Sequence, residues 1–185
     1  MKTNGKLGKN IITGSNEQDA ETFRKIERFL QVLTNLRYEG KFCRGRNIAE
    51  ANQALKFFTR DLNHSTAYQN RVVYPFLETH IPKLRTSFSI LRSEQQELKR
   101  ILNECADLLR RLTKKRSQLN QPELIEQFRE KGIYFIYVLR NHIQTETESI
   151  YKLAERELNE EERIELTRLV KRFKSIRRVR KIVSH

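Results

Sequence analysis

His142 and Glu146 are the pair of residues in this sequence best suited to chemistry. They lie four positions apart, so on a helix both side chains occupy one face. An imidazole and a carboxylate at this spacing can bind a transition metal, and a carboxylate can also orient a histidine that acts as a general base. No nucleophile is paired with His142, and the segment from Gly5 to Gly14 lacks the strand and spacing of a phosphate-binding loop. We therefore predict that the protein is not an enzyme.

Three further polar residues, Ser65, Gln69 and Gln95, interrupt apolar stripes that otherwise repeat with helical spacing. His142 and Glu146 interrupt a stripe in the same way. The interrupted stripes are Phe58–Phe76, Leu84–Leu112 and Phe135–Leu153, whereas a first stripe, Phe23–Leu33, is apolar throughout.

These interruptions are predicted to lie at one height. In an antiparallel bundle, residues at equal distances from a shared turn face each other. Ser65 and Gln69 precede the turn near His80 by about ten to fourteen residues, and Gln95 follows it by about thirteen, each residue rising ~1.5 Å. The same argument across the next connection places Gln95 opposite His142 and Glu146. We predict a polar layer in the core formed by Ser65, Gln69, Gln95, His142 and Glu146.

Three hypotheses for this layer remain open. The leading one is a hydrogen-bonded network without metal, because a buried polar group without a partner costs about 1–3 kcal/mol. The second is a single metal ion held by His142, Glu146 and water. The third is a small-ligand pocket, since the interiors of helix bundles can host one.

The composition indicates a helical protein without a membrane-spanning segment. Only three prolines and six glycines occur among 185 residues. No apolar run is long enough to cross a bilayer, and the polar start, Met1 to Gln18, lacks the apolar core of a signal peptide. Cys43 and Cys105 show no close spacing, which argues against a disulfide framework or a thiolate zinc site. We expect a soluble, cytoplasmic protein.

The predicted fold class is all-α, an antiparallel four-helix bundle with an additional basic C-terminal helix. We assign residues 1–18 to a flexible N-terminal segment, 19–158 to the bundle and 159–185 to the basic helix. Gly40–Gly45 is expected to be a basic connection, Pro75 to kink the second helix, and Gly132 to bend the fourth. Asn159, followed by three glutamates, predicts a helix cap. The four predicted bundle helices are 19–37, 47–79, 82–115 and 122–158.

Three segments together resemble the hemerythrin-like family, whose members carry HHE cation-binding domains. His142–Arg156 (HIQTETESIYKLAER) is similar to the fourth helix of the family, HIxxEExxLFPLAER. Val72–Glu78 resembles the LLFPALE end of the second helix, and Ser93–Leu98 resembles the EHxxL of the third. The resemblance covers residues 19–166 and implies a hemerythrin-like bundle.

In that family a non-haem di-iron centre is held by histidine and carboxylate ligands from all four helices. By resemblance, His142 and Glu146 occupy the ligand positions of the fourth helix. Ser65 and Gln69 stand where the second helix should supply histidine and glutamate, and Gln95 replaces the histidine of the third helix. The histidine position of the first helix falls at Thr22 or Phe23. The resemblance therefore implies a site that is degenerate in its ligands, with no cofactor and with iron as the alternative.

The C-terminal segment concentrates the positive charge. The net charge is +14, and from Arg168 to His185 there are eight Lys or Arg residues and no acid. An amphipathic helix is predicted, with an apolar stripe and cations on the other faces. In one interpretation the stripe packs on the bundle and the charges are only solvated, and in the other the helix meets an acidic surface. Such a surface suits an acidic protein, nucleic acid or an anionic surface. The predicted binding residues are Lys171, Arg172, Lys174, Arg177, Arg178, Arg180 and Lys181, beside the stripe Leu169, Val170, Phe173, Ile176, Val179, Ile182 and Val183.

The leading functional hypothesis is a non-enzymatic, metal-free hemerythrin-like protein that serves as an interaction or regulatory module through this basic surface. One alternative is a residual metal-binding protein that senses iron or oxygen through His142 and Glu146. A further alternative is a nucleic-acid binder with little sequence preference. The sequence leaves the partner and the oligomeric state open.

Overall fold

The computed structural model describes residues 16–38, 41–113 and 121–183, which are helical apart from short connections and contain no strand. This confirms the predicted all-α class. The helices are α1 (Asn16–Tyr38), α2 (Lys41–Tyr68), α3 (Tyr74–His80), α4 (Arg85–Thr113), α5 (Gln121–Thr145), α6 (Lys152–Glu157) and α7 (Glu160–Val183). A first π-helical segment, Gln69–Val73, joins α2 to α3, and a second, Glu146–Tyr151, joins α5 to α6; Pro82–Leu84 forms a 3-10 turn before α4.

The described chain divides into two compact units. The first unit contains Asn63–Ser93, the chain from Ile143 onward, and the described residues before Ala20. The second unit contains Ala20–Leu62 and Glu94–His142. Each unit has buried apolar residues from several helices.

Phenylalanine rings fill the centre of the second unit. The ring of Phe29 on α1 lies 5.8 Å from that of Phe58 on α2 and 6.2 Å from that of Phe128 on α5, measured between centroids. Phe58 also meets Phe135 of α5 at 5.2 Å in an edge-on arrangement. Such pairs contribute about 0.5–1.5 kcal/mol beyond the burial of their area. The rings therefore join α1, α2 and α5 within this unit.

The core of the first unit contains side chains from α3, α4 and α6 together with the C-terminal helix α7. Tyr74 of α3 stacks on Phe88 of α4 with 4.5 Å between ring centroids. Leu166 and Val170 of α7 are buried in the same apolar cluster, and Phe173 packs against it. The apolar side of α7 is thus part of the core of this unit.

Several predicted boundaries need correction. The predicted basic connection Gly40–Gly45 is wrong for its described part, because α2 already begins at Lys41. Lysine and arginine are good helix formers, and a single glycine costs only about 1 kcal/mol in a helix. The interruption expected at Pro75 is instead a wider π turn that ends just before it, and Pro75 occupies the first turn of α3. Residues 1–15, 39–40 and 114–120, with most of the predicted flexible segment, lie outside the described ranges.

Gly132 has a packing role. The helix α5 continues through it, and a Cβ atom there would lie 2.8 Å from Cδ1 of Leu33 and 3.4 Å from Phe29. Glycine therefore permits the close approach of α1 to α5 in the second unit.

The junction of α6 and α7 is closed by hydrogen bonds at both helix ends. The Asn159 side chain accepts from the Glu162 amide at 3.0 Å, and the Glu162 carboxylate accepts from the Asn159 amide at 2.8 Å. This reciprocal arrangement is a capping box and confirms the predicted cap. Arg163 donates to the main-chain oxygens of Leu158 at 3.0 Å and Glu155 at 2.6 Å, so carbonyls at the end of α6 have partners.

The two helical glycines provide a matched stability test. Gly45 is exposed, and a Cβ there would meet nothing within 4 Å. We expect Gly45→Ala to raise the free energy of unfolding by up to about 1 kcal/mol, because alanine favours the helix. Gly132→Ala should lower it by about 1 kcal/mol or more, because Leu33 is buried and must move. Urea unfolding followed by circular dichroism measures both, and equal shifts in one direction would contradict this account of Gly132.

Candidate functional site

The carboxylate of Glu146 is buried in the first unit, where only 7% of the residue is exposed. Gln69 donates from Nε2 to both carboxylate oxygens, at 2.7 and 2.8 Å. The hydroxyl groups of Tyr74 and Tyr151 donate to Oε1 at 2.5 and 3.3 Å. A carboxylate accepts about four hydrogen bonds, and these neutral groups donate four. The arrangement offsets the cost of removing the carboxylate from water.

The two π turns bring the tyrosines to this carboxylate. Tyr74 lies five residues after Gln69, and its backbone N–H donates to the Gln69 carbonyl, which is the π-helical hydrogen bond. Tyr151 likewise lies five residues after Glu146 at the end of the second π segment. An α-helix turns about 100° per residue and would rotate a residue at i+5 away from the polar side chain. The wider turn returns it toward the same side.

Both phenols remain protonated over a wide pH range. Burial raises the pKa of Tyr74 far above its ordinary value, and the nearby negative charge of Glu146 raises it further. The pKa of Tyr151 is raised for the same two reasons, in the same order. Each phenol therefore keeps the proton that it donates to the carboxylate.

Tyr74 is held by its own neighbours. Besides the stacked ring of Phe88, the guanidinium group of Arg92 lies 5.6 Å from the centre of the Tyr74 ring. Arg92 is itself fixed by an ion pair with Glu78, with an N–O distance of 2.8 Å. The phenol is thus positioned from α3 and α4, and we refer to Glu146, Gln69, Tyr74 and Tyr151 as the acid–phenol cluster.

His142 and Gln95 belong to the second unit. The Nδ1–H of His142 donates to Oε2 of Glu94 at 2.8 Å, and the histidine is 4% exposed. Gln95 is 1% exposed. A carboxylate at one ring nitrogen fixes the tautomer of an imidazole and presents the other nitrogen as an acceptor.

The structure places Gln69 and Glu146 of the predicted layer in one hydrogen-bonded group. Ser65 is half-buried, and His142 contacts Glu94. Sequence reasoning missed Tyr74, Tyr151 and Glu94. Tyrosines five residues after a polar interruption were the available signal, but the assumed spacing of three and four residues excluded them. Val72, within the first π segment, and Leu153, just after the second, were predicted in the stripes but are only partly buried.

A family model of the hemerythrin HHE cation-binding domain matches residues 16–154, which is most of the chain. This protein belongs to the hemerythrin family. The resemblance inferred from the sequence is confirmed, and so is the hemerythrin-like bundle with a further helix after it. A search of curated proteins finds no match to the sequence.

The residues at the hemerythrin ligand positions do not fit a di-iron centre. Within the described ranges, no three His, Cys, Asp or Glu side chains are grouped so that they could hold a metal ion. Gln69 supplies an amide that donates to Glu146, whereas two iron ions require bridging carboxylates and several imidazoles. The oxygens of Glu146 are met by N–H and O–H groups, and these donors replace the interactions that a cation would make.

The C-terminal helix α7 presents cations beside its packed side. Arg168, Lys171 and Arg172 are exposed, while Leu166 and Val170 are buried. Leu169, a member of the predicted apolar stripe, is 37% exposed, and the buried side of the helix includes Leu166, which that stripe omitted. The side chains of Lys174, Arg177, Arg178, Arg180 and Lys181 lie outside the described part, as do those of Ile176, Val179, Ile182 and Val183.

None of the described helices is both long enough and apolar enough to span a membrane.

The protein should lose stability at alkaline pH because of its two buried phenols, Tyr74 and Tyr151. Unfolded tyrosines ionise near pH 10, but Tyr74 and Tyr151 stay protonated in the folded protein, which therefore binds more protons. The free energy of unfolding should fall above pH ~10 by about 1.4 kcal/mol per pH unit for each phenol. Urea unfolding measured at several pH values should show this slope reduced in the Tyr74→Phe, Tyr151→Phe double variant.

The test compares how steeply the free energy of unfolding falls with pH. Its absolute value is less informative, because each substitution also removes a hydrogen bond at every pH. The matched control is Tyr137→Phe, because Tyr137 is 63% exposed and should leave the slope unchanged. Burial raises the pKa of Cys105 to about 12, and this contribution is common to all variants. An unchanged slope in the double variant would contradict protonated, buried phenols.

Proposed function

We propose that this hemerythrin-like chain is a metal-free, non-enzymatic interaction or regulatory module, which binds an acidic protein through the exposed cations of α7. The observation that carries the proposal is the division of α7 into two sides. Leu166 and Val170 are buried in the core of the first unit, while Arg168, Lys171 and Arg172 face solvent.

The charge along α7 is strongly asymmetric. Glu160, Glu161 and Glu162 occupy its first turn, where acids interact favourably with the helix dipole. From Arg168 onward there is no acidic residue. Glu165 lies three residues before Arg168, but Lys171 and Arg172 have no acidic residue three or four positions away on the helix, which favours an acidic partner over a merely solvated face.

The acid–phenol cluster supports the non-enzymatic part of the proposal. The Glu146 carboxylate accepts from Gln69 and Tyr74 at short distances, so both of its oxygens take part in hydrogen bonds within the core. The raised phenol pKa values keep both tyrosines as donors. These groups are arranged for mutual satisfaction and stabilise the core of the first unit.

Alanine replacement of Arg168, Lys171 and Arg172 tests the surface. With poly-L-glutamate as the acidic probe, we expect the triple variant to raise the dissociation constant by about tenfold, since several charge contacts are lost. A second variant, with Arg177, Arg178, Arg180 and Lys181 changed to alanine, should act in the same direction. Binding should also weaken between about 0.05 M and 0.5 M salt, because screening shortens the range of the interaction.

The matched control changes Arg24, Arg37 and Arg85, three exposed arginines on α1 and α4, to alanine. It alters the net charge equally and should leave the affinity nearly unchanged. Equal losses in the control and the α7 variants would contradict a localised surface. Tighter, salt-sensitive binding to unrelated double-stranded DNA than to poly-L-glutamate would favour the nucleic-acid alternative.

The second candidate function is residual metal binding at His142 and Glu146, with a role in iron or oxygen sensing. It is favoured by one observation, the contact of the His142 ring with Glu94, since ligating histidines usually bond a carboxylate through their other nitrogen. A two-residue site remains weak for specific binding.

Elemental analysis of freshly purified protein separates the two candidates. The metal-free proposal predicts iron and other transition metals far below one equivalent, with no change in His142→Ala. The control is His80→Ala, since His80 is exposed at the end of α3. Metal near one equivalent that is lost in His142→Ala and kept in His80→Ala would overturn the metal-free proposal.

A further inference from the structure

A surface groove of about 730 Å³ runs between α2 and α4 in the second unit. Its floor is apolar, formed by Ile48 and Leu55 of α2 and Leu109 of α4, and both leucines are buried. Most of the residues around the floor are exposed. The groove is therefore open along its length.

Small residues give the groove its depth. Gly45 and Ala49 lie one turn apart on α2, and Ala106 of α4 also lines the groove. A Cβ atom at Gly45 would meet nothing within 4 Å. Side chains this short leave room for those of another helix between the two helices.

The rim of the groove is cationic. Lys56 and Arg60, one turn apart on α2, and Arg110 on α4 line it, and among the described residues that line it none is acidic. Arg110 pairs with Asp107, whereas neither Lys56 nor Arg60 forms an ion pair within the described part of the chain. The Arg60 guanidinium lies 5.5 Å from the centre of the Phe57 ring, a contact that does not neutralise its charge. Two cations on α2 thus remain available to an anion on a partner.

We infer that this groove binds an amphipathic helix of a partner protein that carries acidic residues beside its apolar face. The groove runs from Gly45 to Arg60, which is about 22 Å or four turns of helix. A helix laid between two others buries its apolar side chains on the floor, and its flanking carboxylates meet Lys56 and Arg60.

The shape favours a helix over a small molecule. Sites for small ligands enclose about 70–90% of the ligand surface, whereas this groove is open along one side. The inference also stands apart from the α7 surface, because all of its residues lie in the second unit. Either proposal can therefore fail while the other holds.

The test uses the full chain and a synthetic, stapled helical peptide of about five turns. Its apolar face carries leucines, and glutamates flank that face. A control peptide has lysines in place of the glutamates. Fluorescence anisotropy should show saturable binding of the acidic peptide and at least about tenfold weaker binding of the lysine peptide.

Two pairs of variants locate the binding. The double variant Lys56→Glu, Arg60→Glu should weaken binding of the acidic peptide by about tenfold or more. The control double variant Arg24→Glu, Arg37→Glu makes an equal change of charge on α1 and should leave the affinity unchanged. Ala49→Trp should fill the groove and abolish binding, while Ala20→Trp should leave it intact. Both alanines are exposed, so neither substitution disturbs the core.

The alanine triple variant of Arg168, Lys171 and Arg172 separates this inference from the α7 proposal. Binding of the acidic peptide should persist in that variant. The inference is overturned if the acidic peptide does not bind saturably. It is also overturned if Lys56→Glu with Arg60→Glu leaves the affinity unchanged, or if only the α7 variant loses binding.

Discussion

The burial of one carboxylate organises the first unit of this protein. Glu146 is removed from water, and its carboxylate accepts hydrogen bonds from neutral donors on Gln69, Tyr74 and Tyr151. Those donors reach it only because two π turns change the helical phase at Gln69 and Glu146. Tertiary contacts must stabilise π turns of this kind, because they are less favourable than a regular α-helix. Here the four hydrogen bonds to the buried carboxylate provide that stabilisation.

Much of the fold followed from the sequence, and the site followed in part. Regular apolar stripes predicted the helices, and the Asn159 cap was readable because capping chemistry is local. The partners of Glu146 could not be predicted from the apolar stripes. Those stripes follow a uniform helical period, and the two π turns change that period. Tyr74 and Tyr151 were therefore assigned to no polar role. Gly40 and Gly45 favour a connection in this basic segment, whereas the helix-forming residues around Gly45 place it within α2.

The hemerythrin fold here carries two kinds of polar feature with different physical demands. The acid–phenol cluster is buried, and each of its polar groups needs a hydrogen-bond partner within the core. The cations of α7 and of the groove between α2 and α4 are exposed, and their energies depend on salt and on what approaches them. The acid–phenol cluster therefore stabilises one particular core structure. The exposed cations contribute a surface charge that is available to anionic groups.

The closed junction between α6 and α7 has a consequence for the energetics of association. Arg163 holds the main-chain oxygens of Leu158 and Glu155, and the capping box fixes the first turn of α7. The helix consequently leaves α6 in one direction, with little backbone freedom at the joint. A molecule that meets its cations encounters a surface whose backbone is already ordered, so conformational entropy lost on association comes mainly from the arginine and lysine side chains.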